Sequence, residues 1–156
     1  MSSTLFEAPP FDPSRERRKR IIIASIVVAC VVVGVFAYLY RYWPEERVVG
    51  QFFTALQHKD FEKAYGIWFH DANWKQHPQQ YPSYSFSDFY SDWGPGGEWG
   101  IITTFHVDTA MVPPSEHGSS GVVVQVTVNG RTKKCFMWVE KKTKTLTFSP
   151  FEIQHT

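Results

Sequence analysis

Residues 44–68 read PEERVVGQFFTALQHKDFEKAYGIW, and two consecutive helices are written into them. Pro44 suits a first helical turn, where its missing N–H costs nothing, and Glu45 and Glu46 complement the positive end of the helix dipole. Val49, Phe52, Phe53 and Leu56 recur at three- and four-residue spacing and so share one face. His58-Lys59-Asp60 interrupts the pattern, and Asp60 is placed to cap a new helix by accepting from its free N–H groups. In that second helix Phe61, Ala64, Tyr65 and Trp68 again line one face.

Downstream, the periodicity dissolves over Asn73–Ser85, NWKQHPQQYPSYS, a polar loop with two prolines. Ser85 or Ser87 can cap a short third helix, SDFYSDW, which GPGG at 94–97 ends. The period then changes to two. In EWGIITTFHVDTAMV, Trp99, Ile101, Thr103, Phe105, Val107 and Met111 fall on one face, taken as the core side, with His106 and Asp108 on the solvent side. PPSEHGSSG connects to VVVQVTV, whose Val122, Val124, Val126 and Val128 share a side. Asn129-Gly130 is a hairpin signal, because both residues tolerate the positive φ that tight β-turns demand. The strand RTKKCFMWVEK alternates around either Phe136 and Trp138 or Cys135, Met137 and Val139. A KKTKT turn leads to a last strand, LTFSPFEIQ, where Pro150 implies an edge or a bulge. Helices followed by an antiparallel meander define an α+β domain.

Upstream lies a different kind of segment. Ile21–Tyr40, IIIASIVVACVVVGVFAYLY, is twenty residues without a charge. At ~1.5 Å rise it reaches ~30 Å, the thickness of bilayer hydrocarbon. Arg15, Arg17, Arg18, Lys19 and Arg20 precede it, whereas only Arg41 and Arg47 follow before Lys59. The positive-inside rule therefore places the N-terminus in the cytoplasm and the rest outside. Tyr38, Tyr40, Tyr42 and Trp43 form an aromatic belt suited to the outer headgroup layer. The apolar run exceeds the usual core of a cleaved secretory signal, which favours an uncleaved anchor. The expected organisation is a basic cytoplasmic tail over 1–20, a transmembrane helix over 21–40, an interface linker over 41–44 and an extracytoplasmic domain over 45–156. The Pro-rich tail FEAPPFDP favours extended backbone. The simplest setting is a bacterial inner membrane with the domain in the periplasm.

The Pro44–Trp68 stretch, with its apolar-x-x-Phe-Phe-x-Ala-Leu pattern followed by Asp60 and Ala64-Tyr65, resembles the opening of NTF2-like (cystatin-like) domains. It is also similar to the NTF2-like module that follows the anchor helix in some penicillin-binding proteins. No SxxK motif of their transpeptidase portion is present. The resemblance implies two to three helices packed on a curved antiparallel sheet around a conical apolar cavity, which Tyr65, Trp68, Trp93, Trp99 and Phe105 would line. That superfold hosts enzymes, transport factors and adaptors alike, so it does not imply one activity.

The sequence carries few signs of catalysis. The six histidines (58, 70, 77, 106, 117 and 155) show no HxH or HExxH spacing, and GxSxG is absent. GPGGEWG lacks a phosphate-binding lysine and reads as a turn. No cofactor, metal site or catalytic residue is assigned. A net charge of +1 offers no electrostatic basis for nucleic-acid binding, and two cysteines, Cys30 and Cys135, cannot form a disulfide framework. Lysines 133, 134, 141, 142 and 144 cluster around one hairpin, a charge that suits anionic headgroups or a partner but is better read as blunting the hairpin edge. The unusual feature is aromatic: ten rings fall between Trp68 and Trp99. Phe86, Phe89, Tyr90 and Trp93, at helical spacing, plug the interior, whereas Trp74, Tyr81 and Tyr84 in the loop are candidate contacts for a partner or ligand. The expectation is a non-enzymatic, single-pass membrane protein, an accessory or assembly subunit that binds another membrane or periplasmic protein. The alternatives are small apolar-ligand binding in the cone or an isomerase- or dehydratase-like enzyme.

Overall fold

The computed structural model describes residues 13–113 and 119–150. Most of the N-terminal tail, the middle of the PPSEHGSSG loop with His117, and the expected strand beyond Pro150 with His155 lie outside them. The chain divides into two compact units, 1–41 and 42–156.

The first unit holds α1 (Pro13–Leu39), which starts two residues before the basic run, so Arg15–Arg20 are helical. Its apolar residues are exposed on every side, from 47% at Val32 to 67% at Leu39. A helix apolar all round has no face to turn toward water. By length and composition it is able to cross a membrane.

The second unit is α+β. It opens with α2 (Trp43–Gln57) and α3 (Phe61–Trp68), then α4 (Phe86–Trp93), followed by an antiparallel sheet in the order β1-β2-β3-β4. The strands are β1 (Phe105–Met111), β2 (Gly121–Val128), β3 (Lys134–Glu140) and β4 (Leu146–Phe148). α2 buries Val49, Phe52, Phe53 and Leu56, and α3 buries Ala64, Tyr65 and Trp68, as the spacing predicts. Asp60 caps α3 through the Lys63 N–H, at 3.1 Å. Ser85, rather than Ser87, caps α4 in a reciprocal box with Asp88. Tyr90 departs from the expected plug and stays 45% exposed, its ring edge-on to Phe61. Tyr42 departs from the expected belt: it packs against the domain core, whereas Tyr38, Tyr40 and Trp43 are exposed.

The sheet turns Val122, Val124, Val126 and Val128 toward the helices, together with Cys135, Met137, Val139 and Leu146. Phe136 and Trp138 therefore take the outer face. Trp138 lies across Gly121, where any Cβ would come within 2.2 Å of the indole. Burial pushes the Cys135 thiol up to about 12, so it behaves as an apolar filler. Asn129 and Gly130 adopt φ of 51° and 63°, the conformation expected of the hairpin.

Two expectations for β1 are corrected. First, the strand starts at Phe105 rather than near Trp99. The Asn129 side chain takes over the preceding backbone: Oδ1 accepts from the Thr103 and Thr104 N–H groups at 2.8 and 3.2 Å, and Nδ2 donates to the Ile101 carbonyl at 2.9 Å. Those groups are satisfied without a ladder, and the alternation fails there: Ile102 is buried and Ile101 exposed. Second, Met111 faces outward. Val107 pairs with Val126 but Thr109 with Gln125, so the register shifts at Asp108. A bulge residue reverses the parity beyond it, and Ala110 and Val112 turn to the core instead.

Candidate functional site

The residues between α3 and α4 form a clasp built around Asp71. Past the end of α3, His70 takes a left-handed φ of 53° and the Asp71 N–H donates back to the Gly66 carbonyl at 2.7 Å. A Cβ on Gly66 would stand 2.9 Å from the Asp71 carbonyl oxygen and 3.3 Å from the Trp74 ring, so the close return of the chain needs glycine there. Asp71 Oδ1 accepts from the Asn73 N–H at 2.9 Å; Oδ2 accepts from the Tyr81 hydroxyl at 2.9 Å and meets His77 Nε2 at 2.5 Å. Partial burial pushes the Asp71 carboxyl upward, but the hydrogen bonds from His77, Tyr81 and Asn73 outweigh it and hold the group below its ordinary value.

The three loop rings are held individually. Trp74 donates its Nε1–H to the Glu62 carbonyl at 3.1 Å, stands edge-on to Tyr65 and stacks on Phe86. Tyr81 stacks on Phe69 with centroids 3.9 Å apart. Tyr84 packs on Trp68 and donates its hydroxyl to Asp92 at 2.8 Å, and burial with that bond pushes its phenol far up. Its own carbonyl accepts from the Tyr65 hydroxyl at 2.8 Å. All three rings are half-buried. Sequence reasoning set them free in the loop; the structure uses one face or one polar handle of each to close the loop on the helices.

The remaining face of the clasp borders a groove of ≈ 620 Å³. Val48 and Gln51 of α2, Lys63 and Ile67 of α3, and His70 and Trp74 of the clasp line it. An ion pair between Lys75 and Glu62 stands on its rim. The volume falls in the ~300–1,000 Å³ range of small-molecule sites. Of Trp74, Tyr81 and Tyr84, only Trp74 lines it.

The rings assigned to a conical cavity lie in the interior. Tyr65, Trp68, Trp93 and Trp99 are buried and Phe105 is half-buried. They pack on one another and on their neighbours, with Phe52–Trp93 centroids at 4.9 Å, Phe53–Phe105 at 5.6 Å and Trp68–Trp93 at 5.9 Å. Trp93 borders a space of ≈ 60 Å³ beside Leu56 and Ile102, and an open groove of ≈ 450 Å³ along Asp92, Trp99 and Phe148.

On the outer face of the sheet His106 is exposed, as expected. Asp108, placed with it as a plain solvent-facing residue, is instead engaged on several sides. It accepts from Gln125 Nε2 at 3.0 Å and Thr127 Oγ1 at 2.7 Å, and Lys134 Nζ stands 3.3 Å away. Partial burial pushes its carboxyl up, and those partners overcome this and lower it. The lysines also divide: Lys133 pairs with Glu98 and Lys134 with Asp108 at the start of β3, whereas Lys144 pairs with Glu45 beyond its end.

Sequence reasoning did not find the contacts of Asp71, Glu45 and Asn129: it placed Glu45 only at the positive end of the α2 dipole and Asn129 only in the hairpin turn. Asp71 had one signal, an Asp-x-Asn that can close an Asx turn. Glu45 carried none, because its partner is 99 residues away. Among the described residues no three His, Cys, Asp or Glu side chains are placed to hold a metal ion. Comparison with protein-family models, curated proteins and solved structures gives no match.

Proposed function

We propose that the chain is a single-pass protein of the inner membrane, with its N-terminus in the cytoplasm, that presents an NTF2-like module outside as an accessory or assembly subunit binding another protein. The observation that carries this reading is α1: nineteen consecutive uncharged residues, apolar on every side and exposed throughout, joined to a domain with its own buried core. Such a helix is costly in water and stable in lipid, where its backbone groups bond internally. The basic residues at 15–20 support the orientation. The helix–helix–helix–meander order supports the NTF2-like reading.

The groove between α2, α3 and the clasp supports the protein contact. It joins an apolar floor, Val48, Ile67 and Trp74, to a charged rim, Lys63, Lys75 and Glu62, the composition of a specific interface. The buried rings of Tyr65, Trp68 and Trp93, packed on Phe52 and Phe89, favour this reading over a small apolar ligand in the cone.

A photo-crosslinking amino acid at Gln51 in the full chain, expressed in membranes, tests it. Adducts to one defined protein are expected from Gln51 and not from His106 on the outer sheet face. Equal yields from both positions, or none from Gln51, would overturn the groove as the contact. For topology, a reporter active only in the periplasm and fused after Thr156 should be active. Activity of a cytoplasmic reporter at that junction would overturn the orientation.

A further inference from the structure

The basic residues that leave β3 are placed by one buried carboxylate. Lys144 takes a left-handed φ of 59°, which lysine seldom adopts, and sets its Nζ 2.5 Å from Glu45 Oε1. Glu45 is 5% exposed, and its Oε2 has no partner among the described residues. A buried carboxylate left alone is strongly unfavourable, so the turn is bound to wherever Glu45 lies. The turn itself is closed by backbone bonds from Lys144 N–H to the Glu140 carbonyl and from Glu140 N–H to the Thr145 carbonyl. Lys141 and Lys142 stand exposed at its tip. Lys133 and Lys134 belong elsewhere, since the seven residues from Lys134 to Lys141 span about 23 Å of strand.

Glu45 sits in the first turn of α2, five residues after Tyr40, where the apolar run ends. Five residues of chain reach at most ~18 Å. In the same turn Trp43 is 49% exposed, with the Arg47 guanidinium 5.0 Å from its ring centroid. Exposed tryptophan and a long basic side chain are the residues that prefer the headgroup layer. The acidic neighbours offset little: Glu45 is neutralised by Lys144, Glu46 is half-buried and Glu140 accepts from the Ser120 hydroxyl at 2.8 Å.

We infer that the Lys141–Lys142 turn, with Trp43 and Arg47, is a docking surface for anionic phospholipid headgroups of the membrane in which the chain is anchored. The inference rests on the anchor reading proposed above. It gives the domain a second attachment besides the span, so that a defined face meets the bilayer.

Amine acetylation of the full chain in lipid nanodiscs, read lysine by lysine by mass spectrometry, tests it. Discs of phosphatidylcholine are compared with discs of an equal mixture of phosphatidylcholine and phosphatidylglycerol. Lys141 and Lys142 should react roughly fivefold more slowly on the mixed discs, the bias a lysine gains at an anionic surface. Lys133, at the other end of β3, should react alike on both. The protection should vanish at ~1 M salt, where the screening length is about 3 Å. Equal rates on both disc types, or equal protection of Lys133, would overturn the docking surface. Alkaline carbonate separates the two levels. A chain that it strips from native membranes sinks the anchor and the docking surface together, whereas an integrated chain with equal lysine rates sinks the docking surface alone.

Discussion

The interior of the domain and its periphery are both rich in aromatic rings, yet they are held differently. Inside, Phe52 meets Phe53, Trp68, Phe89 and Trp93 with centroids 4.9–6.1 Å apart, and burial of the rings supplies the stabilisation. At the periphery, carboxylates organise the structure. Asp71 gathers Asn73, His77 and Tyr81, Asp92 takes the Tyr84 hydroxyl, and Asp108 gathers Gln125, Thr127 and Lys134. The interior is thus intolerant of lost volume, whereas the periphery is sensitive to acid and tolerant of trimming.

The strongest attack on that contrast is truncation inside. Phe52→Ala and Trp68→Ala should each destabilise the full chain in detergent by about 3–5 kcal/mol, since the cavity left behind adds to the lost transfer energy. Denaturant unfolding followed by tryptophan fluorescence measures it, and a loss below about 1 kcal/mol would mean these rings are not the core.

Removing all three loop rings is expected to do less. Trp74→Ala, Tyr81→Ala and Tyr84→Ala combined should cost about 2–4 kcal/mol, from lost polar handles near 1 kcal/mol each and partial ring contacts. The thermal transition should stay cooperative. A broad or absent transition would place the loop inside the core and erase the distinction.

On the sheet, Asp108→Ala should cost about 1–2 kcal/mol, because Gln125, Thr127 and Lys134 lose a common acceptor. His106→Ala should stay within about 0.5 kcal/mol, as exposed substitutions do. Equal effects would show that the bulge gives Asp108 no special role.

The smallest change is local and pH-dependent. Asp71 and Asp108 both titrate below the ordinary carboxylate value of ~3.9. Their contribution is therefore complete at neutral pH and is lost as the pH falls from that value through their lowered folded ones. Asp71→Asn should leave the global transition nearly unmoved while trypsin cleavage after Lys75 accelerates. It should also flatten the acid dependence of the Asn73 amide resonance, whose N–H donates to Asp71. A wild-type Asn73 resonance that stays unmoved as the pH falls from 7 through the Asp71 titration would show that the clasp does not depend on the charge of Asp71.

Much of this architecture is legible in the order of residues. The α2 and α3 faces, the Asp60 and Ser85 caps, the Asn129-Gly130 turn and the apolar run of α1 all depend on neighbours within a few positions. There, spacing and steric preference decide the conformation before any distant contact forms. The outward parity of β1 beyond Asp108 and the irregular path before Phe105 were not legible. A bulge and a side chain borrowed from Asn129 override the local alternation.

The site shows the same division. Sequence alone determined that the 73–85 loop is rich in rings and that α1 is apolar enough for lipid, since both are properties of composition. Only the tertiary structure decided that Trp74, Tyr81 and Tyr84 fold inward by one face, that Asp71 rather than a ring is the centre of the loop, and that Lys144 finds Glu45. Each of these depends on groups meeting across space, and the cost of an unpaired buried carboxylate or donor selects the partner only once the fold has brought them within reach.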